Sequence, residues 1–293
     1  MIIGAVEAVV AVAFASLVFA GRIVGHLADG IGLYLVGTAA ALAILAWRAG
    51  SRGVVGGVQE VTAAVLAIVA GTTALAAFGG PERAFLTVVG MTLVVSVLCG
   101  VAFFALGTLR AGNLVRFVPY PVVGGFLAGA GWLLLKGGVY VASGVQPAMS
   151  TLSDLIGADE LLRWGPALAF GLAMLLAARA LRRPMAIPAA LGIGLVAFVA
   201  GALATGPSLE EVRDGGWLLG PLGEGPLWEP WVLRALTDAD WLAVLKQALP
   251  ILAAVFVAAI AILFNISGTE LVLGRDLDTD RELRDAGLLN VVS

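Results

Sequence analysis

Residues 84–109 read AFLTVVGMTLVVSVLCGVAFFALGTL, with no Asp, Glu, Lys or Arg in the run. At about 1.5 Å per residue such a helix outreaches the ~30 Å hydrocarbon core of a bilayer. Its side chains are apolar on every face, so no stripe faces a core and no stripe faces water. That is the pattern of a membrane span. Working outward, seven further apolar stretches occur at roughly 2–20, 30–47, 54–78, 117–142, 164–181, 186–205 and 247–266. A membrane barrel would alternate apolar and polar residues along short segments, and these runs do not. The first run lacks a basic start and continues into further spans, so it does not read as a cleaved signal peptide. The expected fold is an all-α polytopic membrane protein.

Composition closes off the other classes. Of 293 residues, 60% are apolar and only 13% charged, against about 45–50% and 25% in soluble domains. The mean hydropathy is +1.03. That balance cannot coat a soluble enzyme. A net charge of −3 without a basic patch argues against a nucleic-acid partner. One cysteine (Cys99) and one histidine (His26) leave no disulfide scaffold and no thiolate metal site. There is no Ser/His/Asp set, no HExxH, no P-loop and no dinucleotide fingerprint, so neither an enzyme nor a cofactor is expected.

The charges orient the bundle. Arg48 and Arg52, Arg110 and Arg116, and Arg179, Arg182 and Arg183 follow spans two, four and six. Asp29, Glu82, Asp154, Asp159, Glu160 and the acidic 207–246 segment lie on the other side. Excess Lys and Arg marks the cytoplasm. The expectation is a cytoplasmic-membrane protein with its N-terminus inside and an extracellular loop at 207–246. The loop's Trp217, Trp228, Trp231 and Trp241 suit either an interfacial belt or a small packed subdomain. The hydrophilic patch 275–285 reads as a cytoplasmic loop leading into a ninth span. Because the chain ends at Val291-Val292-Ser293, where that span would begin, a fragment of a longer protein is expected.

Glycine is abundant, with 39 residues. In span five, Gly125 and Gly129 form a GxxxG pattern that allows close helix approach. Span three differs. Residues 51–62, SRGVVGGVQEVT, open extended and Gly-rich before the helical run 63–69. This predicts a short extended stretch feeding a half-helix within the membrane, which persists only where it lines a cavity or packs on protein. The start of such a half-helix exposes N–H groups and the positive dipole end, a natural seat for an anion.

Acids in apolar spans are costly, so they are candidates for function. Glu7 lies near the interface. Glu60 sits in the first turn of the proposed half-helix, where it either complements the dipole or lines a cavity and couples to a proton or cation. Glu270 ends a polar cluster, Asn265-Ile266-Ser267-Gly268-Thr269, at the close of span eight; helix-end polarity and site lining both explain it. Lys136 is close enough to a span end to snorkel. His26 reads as a solvated loop residue, and Cys99 as a small apolar one.

At these residues the chain resembles a family. The stretch 113–129, NLVRFVPYPVVGGFLAG, is similar to the span-five signature of the SulP anion transporters, the sulfate permeases of solute carrier family 26. Residues 281–290, RELRDAGLLN, resemble the segment those proteins carry between spans eight and nine. Residues 30–34, GIGLY, resemble the opening of their span two. The resemblance implies two inverted seven-segment repeats, with a core domain (segments 1–4 and 8–11) moving against a gate domain (5–7 and 12–14). This chain would then be the first half of that 7+7 transporter: a partial SulP transmembrane domain of segments one to eight and the start of nine. Segment three is broken, and segment ten and the STAS domain lie outside these residues. Where the family opens segment three with an SGPTA-like motif, this chain has GGVQEVT at 56–62; residues 52–60 look closer to a branch that includes fungal vacuolar members.

The expected function is secondary active transport of sulfate or a similar small anion, coupled to H+ or Na+. The intact protein is expected to be a homodimer in the lipid bilayer. Gln59, Glu60, Val61 and Thr62 would hold the solute through backbone N–H groups. Asn265, Ser267, Thr269 and Glu270 would form the facing wall, with Ser16 and Phe19 of segment one beside them. Glu60 and Glu270 are the coupling candidates. A carboxylate beside an anion site repels a dianion unless protonated, so a cationic amino acid or other organic solute is the alternative cargo. A non-transporting membrane scaffold is the alternative from another class.

Overall fold

The computed structural model describes residues 2–48, 60–112, 118–181, 186–204, 211–212, 217–218, 229–274 and 276–292. Gln59 and the extended opening of segment three lie outside them. Among the described residues every regular element is helical. Five helical stretches are long and apolar enough to cross a membrane: Gly21–Trp47, Pro81–Thr108, Pro121–Ser143, Glu160–Ala180 and Ala248–Glu270. Three shorter apolar helices, Gly4–Val18, Val61–Ala76 and Pro188–Gly201, accompany them. These are the eight apolar stretches of the sequence, and the protein is an all-α, multi-pass membrane protein.

The chain divides into two compact units. The smaller comprises Met1–Val6 with Lys136–Glu224. It holds the end of α5 (Tyr120–Ser143), then α6 (Ala158–Leu181) and α7 (Ala186–Ala204). A one-turn helix, Leu152–Leu155, is tied to α6 by the Trp164 indole N–H, which donates to the Leu155 carbonyl at 3.1 Å. Helix α6 begins six residues before the apolar stretch starts at 164, because its first turns carry the charged residues Asp159, Glu160 and Arg163.

The larger unit comprises Glu7–Leu135 with Gly225–Ser293. Helix α4 (Pro81–Thr108) is its axis. Phe85, Val88, Val89, Met91, Val95 and Phe103 of α4 are all buried. With it in this unit are α1 (Ile2–Val18) from Glu7 onward, α2 (Leu27–Arg48), α3 (Glu60–Ala76) and α10 (Ala248–Leu273). A 3₁₀ segment, Gly21–His26, joins α1 to α2. Phe19 is fully buried here, edge-on to Tyr34 at 6.1 Å and tilted on Phe85 at 5.4 Å. Its ring lies directly against Gly30, where any β-carbon would collide with it. The GIGLY stretch at 30–34 therefore has a packing reason: the glycine admits the ring and the tyrosine closes its edge.

His26 is not the solvated loop residue expected. Its Nδ1 lies 3.1 Å from Asp29 Oδ2, and its ring stacks on Phe85 at 4.9 Å. The 3₁₀ turn folds it back onto α4.

Two short helices, α8 (Trp231–Asp238) and α9 (Trp241–Lys246), lie along the first half of α4. Trp231 is buried edge-on to Phe85 at 5.3 Å, and the Trp241 ring lies over Gly90. For these two tryptophans packing, rather than an interfacial belt, is what is observed; Trp228 is outside the described residues and Trp217 is exposed. Asp240 fastens the hairpin. Its carboxylate accepts the backbone N–H groups of Phe78 and Ala243, both at 3.1 Å, and its own N–H donates to the Thr87 hydroxyl at 2.9 Å. The Phe78 bond, then the Ala243 bond, hold the Asp240 carboxyl below the ordinary carboxylate range. The folded value is lower than the unfolded one, so the contribution is complete above about pH 4 and is lost as pH falls through the folded value. Acid titration is expected to expose Trp231 and raise its quenching by iodide below about pH 4. Asp240→Asn should show that quenching already at neutral pH; equal quenching curves for the two proteins would refute the fastening.

The hydrophilic stretch at 275–285 is in large part not a loop. Helix α11 (Thr279–Val292) starts within it and runs antiparallel along α4. The Ser96 hydroxyl donates to the Asn290 carbonyl at 2.5 Å, and the Gly112 N–H donates to Asp280 Oδ1 at 3.0 Å, one at each end of the contact. Between them Gly287 faces Gly100 so closely that a β-carbon on Gly287 would lie 2.7 Å from the Gly100 carbonyl oxygen and 2.7 Å from the Phe104 nitrogen. The close approach expected at Gly125 and Gly129 is found here instead. Those two glycines are exposed, with nothing within 4 Å of their β-carbon positions.

Candidate functional site

Among the described residues helix α3 spans Glu60–Ala76, so residues 60–62, which the sequence reads as the close of an extended opening, are helical. Its first turn has no side-chain-independent reason to be buried, yet Val61 is buried, and the neighbours explain it. Val61 packs with Ala130 of α5 and Ala261 of α10, and Phe126 and Val257 close the cluster. Phe126 in turn meets Phe264 edge-on at 5.4 Å. The small side chains at 130 and 261 let three helices converge on the α3 start. Thr62 is half-buried beside them.

The residues expected to form the facing wall follow on α10. Asn265 is one turn beyond Ala261, on the same face, and is exposed. Ser267, Thr269 and Glu270 are half-buried. The Thr269 hydroxyl donates to the Asn265 carbonyl at 2.8 Å. Glu270 Oε1 accepts the Leu277 N–H at 2.9 Å, which ties down the chain just after α10. The Glu270 carboxylate thus has a structural partner. Ser16 is buried on α1 and donates to the Val12 carbonyl at 2.7 Å. Phe19 is in the core already described. Val61 at the α3 start is therefore brought against Val257 and Ala261 of α10, the turn before Asn265, whereas the polar atom of Ser16 and the ring of Phe19 are engaged within their own packing.

The far end of α3 is held by a residue the sequence did not single out. The Arg22 guanidinium donates from Nη1 to the Ala74 carbonyl and from Nη2 to the Gly79 carbonyl, both at 2.9 Å, with the Leu75 and Ala77 carbonyls at 3.4 Å. A cation at a helix C-terminus satisfies orphan carbonyls and meets the negative dipole end. Arg22→Ala is expected to lower stability by about 1–2 kcal/mol, read as an earlier thermal midpoint in detergent. Arg22→Lys should recover only part, because one ammonium cannot reproduce a two-armed fork. Full recovery by lysine would show that charge alone matters. The only sequence cue was a lone arginine after Gly21, which has a positive φ of 73°.

Helix α3 thus has its C-terminal carbonyls bound by Arg22 and its N-terminal end among α5 and α10. A model of the sulfate permease family matches residues 1–293. The chain belongs to the sulfate permease family. Members of that family are membrane transporters. Vacuolar basic amino acid transporter VSB1 of Saccharomyces cerevisiae is similar over 223 residues at 26% identity, covering 73% of this chain and 21% of that protein. The chain thus spans about a fifth of the length of that relative. No solved structure matches it significantly.

Proposed function

We propose that this sulfate permease chain forms part of a secondary active transporter whose solute binds at the start of α3, facing the Asn265–Glu270 wall of α10. The observation that carries this is the convergence at Val61, where α3, α5 and α10 meet around small side chains. Backbone N–H groups of residues 59–62 would face the solute, and Glu60 would be the coupling acid for H+ or Na+. Glu270 is the weaker coupling candidate, since taking up that role requires it to release the Leu277 N–H. The Arg-rich loops support an N-terminus in the cytoplasm and 207–246 outside.

For the cargo we favour a basic amino acid. A bare helix start attracts anions. A carboxylate at Glu60, in the first turn, offsets that field and suits a cationic solute. The name of the yeast relative points the same way. The second reading is sulfate or another small anion, which the family description favours; it requires Glu60 protonated when the anion binds. Uptake of labelled arginine and labelled sulfate into proteoliposomes holding the intact gene product separates the two. Arginine accumulation that unlabelled lysine blocks and sulfate does not would establish the first. Acid-stimulated sulfate uptake that arginine leaves untouched would establish the second. Ligand binding without any flux would return the protein to a scaffold role.

A further inference from the structure

A cleft lies at the end of α3 and α4 opposite to the α3 start. Helix α3 is 17 residues long, so the two places are about 25 Å apart. The cleft has a volume of about 390 Å³ and is lined by Glu82, Arg83 and Leu86 of α4 and by Arg234, Thr237 and Asp238 of α8. Its walls are fixed. Trp231 and Ala235 bury α8 against α4, Asp240 fastens the hairpin behind it, and an Arg234–Glu82 ion pair joins the two sides. The Arg234 guanidinium also lies 5.0 Å over the Trp231 ring. That leaves one cation and one anion across the cleft. The Arg83 and Asp238 side chains are exposed and make no hydrogen bond or ion pair among the described residues, although Arg83 is near enough to Asp240 to favour its ionised form.

The lining therefore carries two guanidiniums and two carboxylates. A simple anion would meet the carboxylates and a simple cation the guanidiniums, so the matching ligand bears both signs. Arg83 offers a fork that fits a carboxylate with two hydrogen bonds. Asp238 accepts from an ammonium, and buried Leu86 supplies an apolar floor. The volume falls in the range of small-molecule sites. We propose that this cleft binds a free amino acid through its α-carboxylate at Arg83 and its α-ammonium at Asp238, as a collecting site ahead of the transport site. The identity of the ligand rests on the amino-acid cargo reading above; the need for a ligand of both signs does not.

The test is equilibrium binding of labelled L-arginine to the purified, full-length gene product, alongside arginine uptake in proteoliposomes. Alanine, agmatine (which lacks the carboxylate) and sulfate serve as competitors. Arg83→Gln and Asp238→Asn are expected to weaken one component of binding by about tenfold each. Each should raise the KM for uptake and leave the maximal rate unchanged. Alanine should displace that component and agmatine should not. Glu60→Gln should cut uptake about a hundredfold while the component persists. Asp238 is exposed and outside the Arg234–Glu82 pair, so its variant keeps the fold even if Arg83→Gln does not. Binding and KM unaltered by both variants, in a protein that takes up arginine, overturns the cleft alone. Displacement by agmatine as strong as by alanine also overturns it. Sulfate uptake without arginine uptake, with amino-acid binding still dependent on Arg83 and Asp238, overturns only the cargo reading.

Discussion

Gly287→Leu is expected to separate α11 from α4 and to lower stability by about 3 kcal/mol or more. Overpacking a tight contact typically costs about 1–3 kcal/mol when neighbours can shift. Here the first obstacle is backbone on the partner helix, namely the Gly100 carbonyl oxygen and the Phe104 nitrogen. A rotamer change relieves neither. Even Gly287→Ala must push the helices apart, which would strain the Ser96–Asn290 and Gly112–Asp280 bonds at the two ends of the contact. Thermal midpoints in detergent should fall in the order glycine, alanine, leucine. A leucine variant that melts with the parent would mean that α11 does not pack on α4 as described.

Glu60→Gln should reduce coupled transport by about a hundredfold, the scale of losing one well-placed charged contact, while the protein still folds. Glutamine keeps the shape and removes the charge. If Glu60 carries the coupling proton, parental uptake depends on pH and the variant's residual uptake does not. If Glu60 instead contacts a cationic solute directly, the loss appears as a raised KM for arginine with the pH profile kept. Parental rate and parental pH profile in the variant would remove Glu60 from both roles.

Length and apolarity made the spans legible, because crossing hydrocarbon constrains composition more strongly than any local propensity. The helical run from Ala63 was legible as well, although residues 60–62, read as the end of the extended opening, are already helical. What escaped were contacts between distant residues. Nothing near Arg22 in sequence announces carbonyl groups more than fifty positions away. His26 is isolated in sequence and found its partners only when the 3₁₀ turn brought it to Phe85. In α11 the signal was present but diluted: Leu283 and Gly287 are buried on one face, amid charges that read as a loop. The candidate site was half legible. The small residues Ala130 and Ala261 that admit Val61 look like any alanines in an apolar span. For Glu270 the sequence left helix-end polarity and site lining both open, and the Leu277 N–H that its carboxylate accepts lies beyond the end of the helix, where no pattern announces it.

The union of α4 with α11 also sets a schedule for making the protein. Ser96 and Asn290 are 194 residues apart, and chain growth at about 5–20 residues per second puts roughly 10–40 s between their syntheses. Throughout that interval the groove around Gly100 must wait for its partner. A nascent chain stalled before residue 279 would leave the groove open to any passing helix, so biogenesis of this bundle calls for something to shield α4 until α11 arrives.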